Sequence, residues 1–152
     1  IVIDDCGECH EGADSLEGLR TIRMSDVDYD GDGDVTEGAY GEIDTMRERL
    51  YAAIQAYAID VVGTPILYDS HAYPYWFADT DGNGRINDEE GGFSTWTPNL
   101  LRAAYNYQDS NKDPGGYAHN SSYVLQILFD SIQAVGGDVT DATRAEVRTF
   151  GN

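Results

Sequence analysis

Apolar residues recur at steps of three and four along the middle of the chain, from about residue 37 to residue 62. This spacing is typical of the buried face of an amphipathic helix, because about 3.6 residues make one turn. The stripe consists of Ile43, Met46, Leu50, Ile54, Tyr57, Ala58 and Val61. The segment Gly63-Thr64-Pro65 then stops it. The pattern predicts one long helix over residues 37–62, with Met46 in the core.

Shorter stretches with the same period predict further helices on both sides. Residues 11–25 carry Leu16, Leu19 and Ile22 on one face. Thr97 is a good N-cap before Pro98, which predicts a helix over residues 97–108. Another helix is predicted over residues 121–135, and a short one is possible at 141–149. The inward-facing residues of the two longer C-terminal helices are expected to be Leu101, Ala104, Tyr105, Val124, Ile127, Leu128 and Ile132.

The connections between these helices lack a regular period. Residues 66–78 are rich in aromatic side chains, and they are predicted to be irregular. Their rings either belong to ordinary core or form a wall against an apolar ligand. The chain is therefore expected to be one mostly α domain spanning residues 1–152, with about four helices and long irregular connections.

The net charge excludes several classes of partner. The 152 residues carry a net charge of −19, and Lys112 is the only lysine. Such a chain has no basic surface to displace counterions from nucleic acid or to bind an anionic membrane. No apolar run reaches roughly eighteen residues, so no transmembrane segment is predicted. Ile1 is either the first residue after a removed signal or a fragment boundary.

The acidic residues are clustered, which suggests metal sites. Thirteen of the 28 lie in residues 26–44 and 79–90, and their mutual repulsion is costly unless cations are bound. Residues 79–90 match every position of a calcium-binding loop of the EF-hand type, including Gly84 at the sharp turn and Ile86 at the apolar position. The expected calcium ligands are Asp79, Asp81, Asn83, Arg85 through its carbonyl, and Glu90. Because Gly91 and Gly92 prevent an exit helix, this calcium is expected to be structural rather than regulatory.

A second acidic stretch fits the same loop in two registers. Register 26–37 places Glu37 at the bidentate position but Gly33 at the apolar position. Register 28–39 places Val35 at the apolar position but Ala39 at the bidentate position. The sequence leaves both registers open. The candidate calcium ligands are Asp26, Asp28, Asp30, Asp32, Asp34 and Glu37.

The segment Cys6-Gly7-Glu8-Cys9-His10 has the pattern of a covalent haem c attachment site. Thiols at i and i+3 share one face of a helical turn, so both can reach one edge of a porphyrin, and His10 can then ligate the iron. Two alternatives are a small disulfide and half of a zinc site. A zinc site would need further ligands at suitable spacing, and only the isolated His71 and His119 remain. The motif therefore favours one covalent haem c, with Cys6 and Cys9 as its anchors.

Several longer segments resemble the calcium-binding C-terminal region of bacterial multihaem c-type cytochromes. The likeness is collinear over about residues 6–140, and it is carried by residues 28–43 (DYDGDGDVTEGAYGEI), 68–77, 96–108 and 112–120 with the helix that follows. The resemblance implies extracellular or periplasmic electron transfer, with stacked haems in the relatives and no catalytic residues. Those relatives carry many attachment motifs and this chain carries one. Conduction from haem to haem would then require a longer protein or association of copies.

The resemblance also favours histidine on both faces of the iron. The sixth ligand is then His119 or His71, in the same chain or in a neighbouring copy. His119 is preferred, because Gly115, Gly116 and Ala118 beside it let a flat macrocycle approach the backbone closely.

The sequence therefore predicts a secreted electron-transfer cytochrome with one haem c and two structural calcium ions. Its partners are expected to be redox proteins or copies of itself, as a homo-oligomer or filament. The alternative is a haem-free extracellular structural protein that calcium stabilises. A haem peroxidase is disfavoured, because no distal Arg–His pair with recognisable spacing is present.

Overall fold

The computed structural model describes residues 3–8, 10, 13–23 and 25–146 of the chain. Helices α1 to α3 are followed by a short β-hairpin and by helices α4 to α6. Their bounds are α1 Ile3–Gly7, α2 Leu16–Arg20, α3 Ala39–Tyr57, β1 Ile66–Tyr68, β2 Trp76–Ala78, α4 Pro98–Lys112, α5 Gly116–His119 and α6 Ser121–Ala134. The predicted mostly helical class is confirmed.

Helices α3, α4 and α6 pack against one another and enclose the core. Their least exposed large apolar side chains are Ile43, Met46, Leu50, Ile54, Leu100, Leu128 and Ile132. Burying one such side chain fully stabilises the fold by roughly 1.5–3 kcal/mol. The prediction that Met46 belongs to the core is confirmed. This three-helix core supports the loops and short helices that carry the chemically distinctive residues.

The beginning of α3 is held against the segment that follows α2. A Cβ atom on Gly38 would lie 1.9 Å from the carbonyl oxygen of Arg20, so only glycine permits this approach. Immediately afterwards, the amide of Ala39 donates to the carbonyl of Ile22 at 3.1 Å. The N-terminal segment is therefore fixed beside the first turn of α3.

The end of α3 continues into a π-helical turn over Ala58–Val62, and Gly63 with φ 77° ends it. Val61 was predicted on the buried stripe, but it is 61% exposed. That prediction is wrong, because hydrogen bonds from i to i+5 rotate the last residues away from the positions of a regular helix.

Helix α4 buries a face that agrees only in part with the one predicted. Leu101 and Tyr105 are 52% and 68% exposed, so the prediction that they face inward is wrong. The buried face consists of Leu100, Ala103 and Ala104, so the prediction is confirmed for Ala104. The predicted face and the observed face both have apolar residues at steps of three and four, so the helical period alone did not show which of them is buried. The predicted N-cap is confirmed, since the Thr97 hydroxyl accepts a hydrogen bond from the amide of Leu100 at 3.2 Å.

The N-terminal helix is shorter than predicted. Of residues 11–25, only α2 is helical in the described part, and residues 11, 12 and 24 lie outside it. Ser15 caps α2 by accepting from the amide of Gly18 at 3.0 Å. Leu16 is 48% exposed, and Leu19 is the buried residue of the predicted stripe. A single helical turn is too short to present a continuous apolar face.

Residues 66–78 contain an antiparallel hairpin, so the prediction of an irregular segment is wrong at its two ends. Strands β1 and β2 pair with Leu67 opposite Phe77. Three-residue strands are too short to show the alternation that identifies a strand in sequence. The hairpin contributes to an aromatic cluster in the core, in which the ring centroids of Tyr68 and Trp76 lie 4.8 Å apart. Its other members are Tyr51 and Tyr107, stacked at 5.2 Å.

Among the described residues, no helix combines the length and the apolar composition needed to cross a lipid bilayer.

Candidate functional site

A cavity of about 660 Å³ lies between the N-terminal segment, the beginning of α3, and helices α5 and α6. Small-molecule and cofactor sites commonly measure roughly 300–1,000 Å³. The apolar part of the wall comes from Leu19, Ile22, Ala39, Tyr117, Ala118 and Leu125. The polar part comes from Cys6, His10, Arg23, Ser25, Tyr29, Glu42, His119, Ser121, Ser122 and Glu146. The cavity therefore has the volume and the mixed wall of a cofactor site.

The attachment motif contributes Cys6 and His10 to this wall. The amide of His10 donates to the carbonyl of Cys6 at 3.0 Å, which is the i+4 to i hydrogen bond of a helical turn. Residues i and i+4 lie on the same side of such a turn, which explains why both side chains reach the cavity. Cys9, the second predicted anchor, lies outside the described residues.

The cavity also contains His119, the last residue of α5. Its amide donates to the carbonyl of Gly115 at 3.1 Å, and a Cβ atom on Gly115 would lie 3.5 Å from the His119 ring. In sequence, 108 residues lie between His10 and His119. Packing of α5 beside α2 and α3 nevertheless brings His119 to the same cavity as His10.

His71 lies elsewhere, in the loop between β1 and β2. Its side chain is 93% exposed. The ring Nδ1 is 3.1 Å from the Ser70 hydroxyl and 3.4 Å from Asp69 Oδ1. His71 does not line the cavity, and neither does any residue of the aromatic segment 66–78. Within the segment, Trp76 belongs to the core and Tyr68 packs against it, whereas Tyr73 is 87% exposed.

Two charged residues in the cavity wall, Arg23 and Glu42, were not predicted. Arg23 Nη1 lies 2.6 Å from Glu42 Oε1, and the side chains are 13% and 1% exposed. Arg23 also donates to the carbonyls of Val27 and Glu37, at 2.5 and 2.8 Å. A sequence signal existed for Glu42, because it stands in the first turn of the long helix, where a carboxylate interacts favourably with the helix dipole.

Backbone amides of the second acidic loop donate hydrogen bonds to its carboxylates. Asp79 accepts from the amides of Asn83 and Gly84, at 3.1 and 3.0 Å. Glu90 accepts from the amides of Thr80 and Asn87, at 2.8 and 3.2 Å. Ligand oxygens of Asp79, Asp81 and Glu90 lie within 4.8 Å of one another. Oxygen ligands at this density are what Ca²⁺ binds.

The other predicted ligands of this loop, Asn83 and Arg85, are exposed. The amide of Arg85 donates to Asn83 Oδ1 at 2.7 Å, which holds the turn between them. No helix follows the loop in residues 91–97, where Gly92 instead bridges to Phe77 of the hairpin.

The backbone of the first acidic loop follows register 28–39. The amide of Gly33 donates to Asp28 Oδ2 at 2.9 Å, just as the amide of Gly84 donates to Asp79 Oδ2 at 3.0 Å. Gly31 and Gly33 have φ values of 79° and 91°, as Gly82 and Gly84 have 70° and 71°. Backbone geometry thus distinguishes two registers that the sequence left open.

The predicted ligands of the first loop are only partly brought together. Ligand oxygens converge in two overlapping groups, Asp28 with Asp30 and Glu42, and Asp30 with Asp32 and Glu37. Within the described residues, Asp26 and Asp34 belong to neither group. Asp34 instead accepts from the amide and hydroxyl of Thr36, at 2.8 and 2.6 Å, and these bonds lower its pKa.

Burial and mutual repulsion shift the pKa values of this loop. Burial, followed by repulsion from Asp30 and Asp32, raises the pKa of Glu37 to about 7. Burial is also the main cause of the raised pKa of Asp30, which is 1% exposed. Asp30 Oδ2 and Glu37 Oε1 accept no hydrogen bond from any described residue. A bound cation would relieve both the repulsion and the missing partners.

Sequence comparison relates the chain to large c-type cytochromes. It is 33% identical to the C-type polyheme cytochrome OmcB of Geobacter sulfurreducens strain DL-1 / KN400. This alignment is 175 positions long and covers 93% of the chain. It is 32% identical, over 118 residues and 66% of its length, to the C-type polyheme cytochrome OmcC of Geobacter sulfurreducens strain PCA. The aligned part makes up 23% of OmcB and 15% of OmcC, so the chain spans less than a quarter of these relatives. No family model and no solved structure matches the chain.

Proposed function

We propose that this relative of polyheme c-type cytochromes carries one covalent haem c in the described cavity and functions in electron transfer. The observation that carries the proposal is the convergence of Cys6, His10 and His119 on one cavity of about 660 Å³. The relationship to OmcB and OmcC supports the cytochrome assignment.

The residues around the cavity fit a haem in size and chemistry. A haem needs apolar contacts for its flat faces, polar groups near its carboxylates and imidazole nitrogens for its iron. The wall offers Leu19, Ile22 and Leu125 as apolar contacts, and Arg23 as a cation. His10 and His119 both line the cavity and would supply the imidazole nitrogens.

Each residue has a distinct proposed role. Cys6 and Cys9 would form the thioether anchors, His10 would be the proximal ligand and His119 the sixth ligand. A haem supplies reversible one-electron chemistry when bound. The apolar side chains would exclude water, and Arg23 would offset the charge of a propionate. Because the proposed iron would have ligands on both faces, the protein would be a carrier rather than a catalyst.

The two acidic loops are proposed to hold structural calcium. Asp79, Asp81 and Glu90 would bind one ion in the second loop, with contributions from Asn83 and Arg85. Asp28, Asp30 and Asp32 would bind another ion in the first loop. The preformed turns and the converging oxygens support this proposal. An extracellular or periplasmic location, where calcium is plentiful and haem c is attached, follows from the same reasoning.

We further propose that copies of the chain associate into a homo-oligomer or filament. A single haem moves electrons only locally, so longer transfer requires a neighbouring haem. Exposed apolar side chains are available for contact, among them Tyr105 on α4 and Tyr73 in the hairpin loop, which is 87% exposed. Light scattering and electron microscopy at high concentration with calcium should show assemblies. Monomers under all these conditions would contradict association but not the haem proposal.

The haem proposal is tested by producing the chain in cells that attach haem c. The purified protein should show a Soret band that persists after denaturation and a haem-stained band on a denaturing gel. Replacing both cysteines (Cys6→Ala with Cys9→Ala) should remove the covalent haem. A folded wild-type protein that binds calcium but carries no haem would refute the proposal and favour a calcium-stabilised structural protein.

A further inference from the structure

The first acidic loop lacks the glutamate that a calcium loop carries at its twelfth position. In register 28–39 this position is Ala39, whereas the second loop has Glu90 there. Glu42 stands three residues further along, in the first turn of α3, and is 1% exposed. Its carboxylate reaches back to the loop and accepts hydrogen bonds from two amides there.

Glu42 makes the contact with its loop that Glu90 makes with the second loop. The amide of Thr80, the second residue of that loop, donates to Glu90 Oε1 at 2.8 Å. The amide of Tyr29, the second residue of the first loop, donates to Glu42 Oε2 at 2.8 Å. The amide of Asp30 donates to the same oxygen at 2.9 Å. The two glutamates therefore fasten the two loops in the same way, from different positions in sequence.

An independent observation at this place indicates a ligand. Ligand oxygens of Asp28, Asp30 and Glu42 lie within 4.8 Å of one another. Asp30 is 1% exposed, and its Oδ2 accepts no hydrogen bond from any described residue. A buried carboxylate oxygen without a partner is destabilising unless a cation binds it.

Glu42 retains capacity for one more ligand. A carboxylate offers about four lone-pair positions, and the bonds from Arg23, Tyr29 and Asp30 use three of them. The remaining position is on Oε1, the oxygen that also contacts Arg23. A calcium ion would thus share an oxygen with a guanidinium group that lines the haem cavity.

We propose that Glu42 completes a calcium site in the first loop and couples calcium binding there to the redox state of the haem site. The inference rests on the proposed haem. Uptake of one electron from an external redox partner lowers the positive charge of the cavity by one, and no atom leaves or enters. A divalent cation beside the same wall favours the reduced state, and burial of Glu42 limits the screening of this interaction by water and salt.

Thermodynamic linkage makes the effect reciprocal. If calcium raises the reduction potential, reduction must strengthen calcium binding by the same coupling free energy. We expect the reduced protein to bind calcium in the first loop about fivefold more tightly. With about 59 mV for each tenfold change in a one-electron couple, this corresponds to an increase of about 40 mV in potential.

The second loop provides a matched control within the chain. None of residues 79–90 lines the cavity. Asp32 in the first loop and Asp81 in the second are both exposed, so replacing either removes one carboxylate without opening the core. Asp32→Asn should therefore weaken calcium binding in the first loop, and Asp81→Asn should weaken it in the second loop.

Two measurements test the inference. Redox titration of the haem protein, with calcium and with a chelator, gives the reduction potential. Calorimetric titration gives the affinity for calcium. The wild type and Asp81→Asn should both show the calcium-dependent rise in potential. Asp32→Asn should lose it, and Glu42→Gln should lose it together with the first-loop calcium. If Glu42→Gln does not fold, the comparison of Asp32→Asn with Asp81→Asn still decides which of the two loops is coupled to the haem site.

Two results would overturn the inference. One is a potential that does not respond to calcium in the wild-type haem protein. The other is a response that Asp81→Asn abolishes and Asp32→Asn retains, because the second loop would then be the coupled one. Both leave the proposed function intact. A protein without a covalent haem spectrum would instead refute the proposed function, and calorimetry of Glu42→Gln would still test the calcium assignment.

Discussion

Arg23 and Glu42 form a nearly buried ion pair in which the guanidinium Nη1 lies 2.6 Å from carboxylate Oε1. The pair stands at the boundary between the cavity and the first acidic loop. Arg23 also donates to two carbonyls of the loop region, and Glu42 accepts from two of its amides. One pair of side chains therefore holds together the cavity wall, the loop and the start of α3.

Arg23→Ala is expected to destabilise the calcium-free protein by about 3–5 kcal/mol, because it leaves a buried carboxylate without its cation. Calcium should reduce the loss, since the ion supplies a positive charge to the same carboxylate. Urea denaturation with calcium and with a chelator measures both values. The control is Arg144→Ala, which breaks an ion pair with Asp130. These two side chains are 44% and 46% exposed, so the variant should change stability little. Equal losses in the two variants would contradict the role of burial.

The sixth iron ligand is predicted to be His119. In the haem protein, His119→Ala should change the absorption spectrum from low-spin to high-spin iron, because one axial imidazole is lost. His71→Ala is the control, since His71 is 93% exposed and lies away from the cavity. A high-spin spectrum in His71→Ala and not in His119→Ala would reverse the assignment. Two unchanged spectra would mean that another group provides the sixth ligand.

Calcium in the second loop is predicted to stabilise the fold. Asp81→Asn removes one of three converging carboxylates, so it should lower the thermal midpoint in calcium and weaken the response to a chelator. The physical reason is mass action, because an ion that binds only the folded state shifts the equilibrium toward it. Differential scanning calorimetry of the two proteins, each with and without calcium, makes the comparison. A chelator that leaves the wild-type midpoint unchanged would exclude structural calcium.

The pH dependence of the calcium-free protein is predicted to depend on Glu37. Its folded-state pKa is about 7, above the ordinary value of 4.5. Between these values the folded state binds more protons than the unfolded state, so stability falls as pH rises. The contribution is fully present below pH 4.5 and is lost as pH rises through about 7. Glu37→Gln should flatten this part of the stability profile, measured by urea denaturation at several pH values.

The matched control for Glu37 is Asp88, which has the corresponding position in the second loop and is exposed. Asp88→Asn should keep the decline in stability between pH 4.5 and about 7. Calcium should weaken the decline in the wild type, because a cation favours the ionised carboxylates. A profile that Glu37→Gln does not change would assign the pH dependence to another group, with Asp30 the next to test.

The helices and loops were predictable to the extent that they depend on local spacing. The stripe from Ile43 to Ala58 identified α3, and Thr97 with Pro98 identified the start of α4. The period did not reveal which face of α4 would be buried, because Leu100 and Leu101 both belong to stripes with helical spacing. The choice follows from contact with α3 and α6, which the sequence of α4 does not contain. The hairpin was missed because its strands are only three residues long.

The sequence by itself determined which residues are candidates for the proposed chemistry: one Cys-x-x-Cys-His motif, two acidic loops and three histidines. The motif and the loops are recognised by the identity and spacing of near neighbours, which a linear pattern records fully. The tertiary structure decided which of them meet. It brought His119 to the cavity of Cys6 and His10, left His71 outside, and placed Glu42 against a loop that has alanine at its twelfth position. Such relations depend on how α3, α5 and α6 pack, and packing is a property of side-chain shape across the whole core.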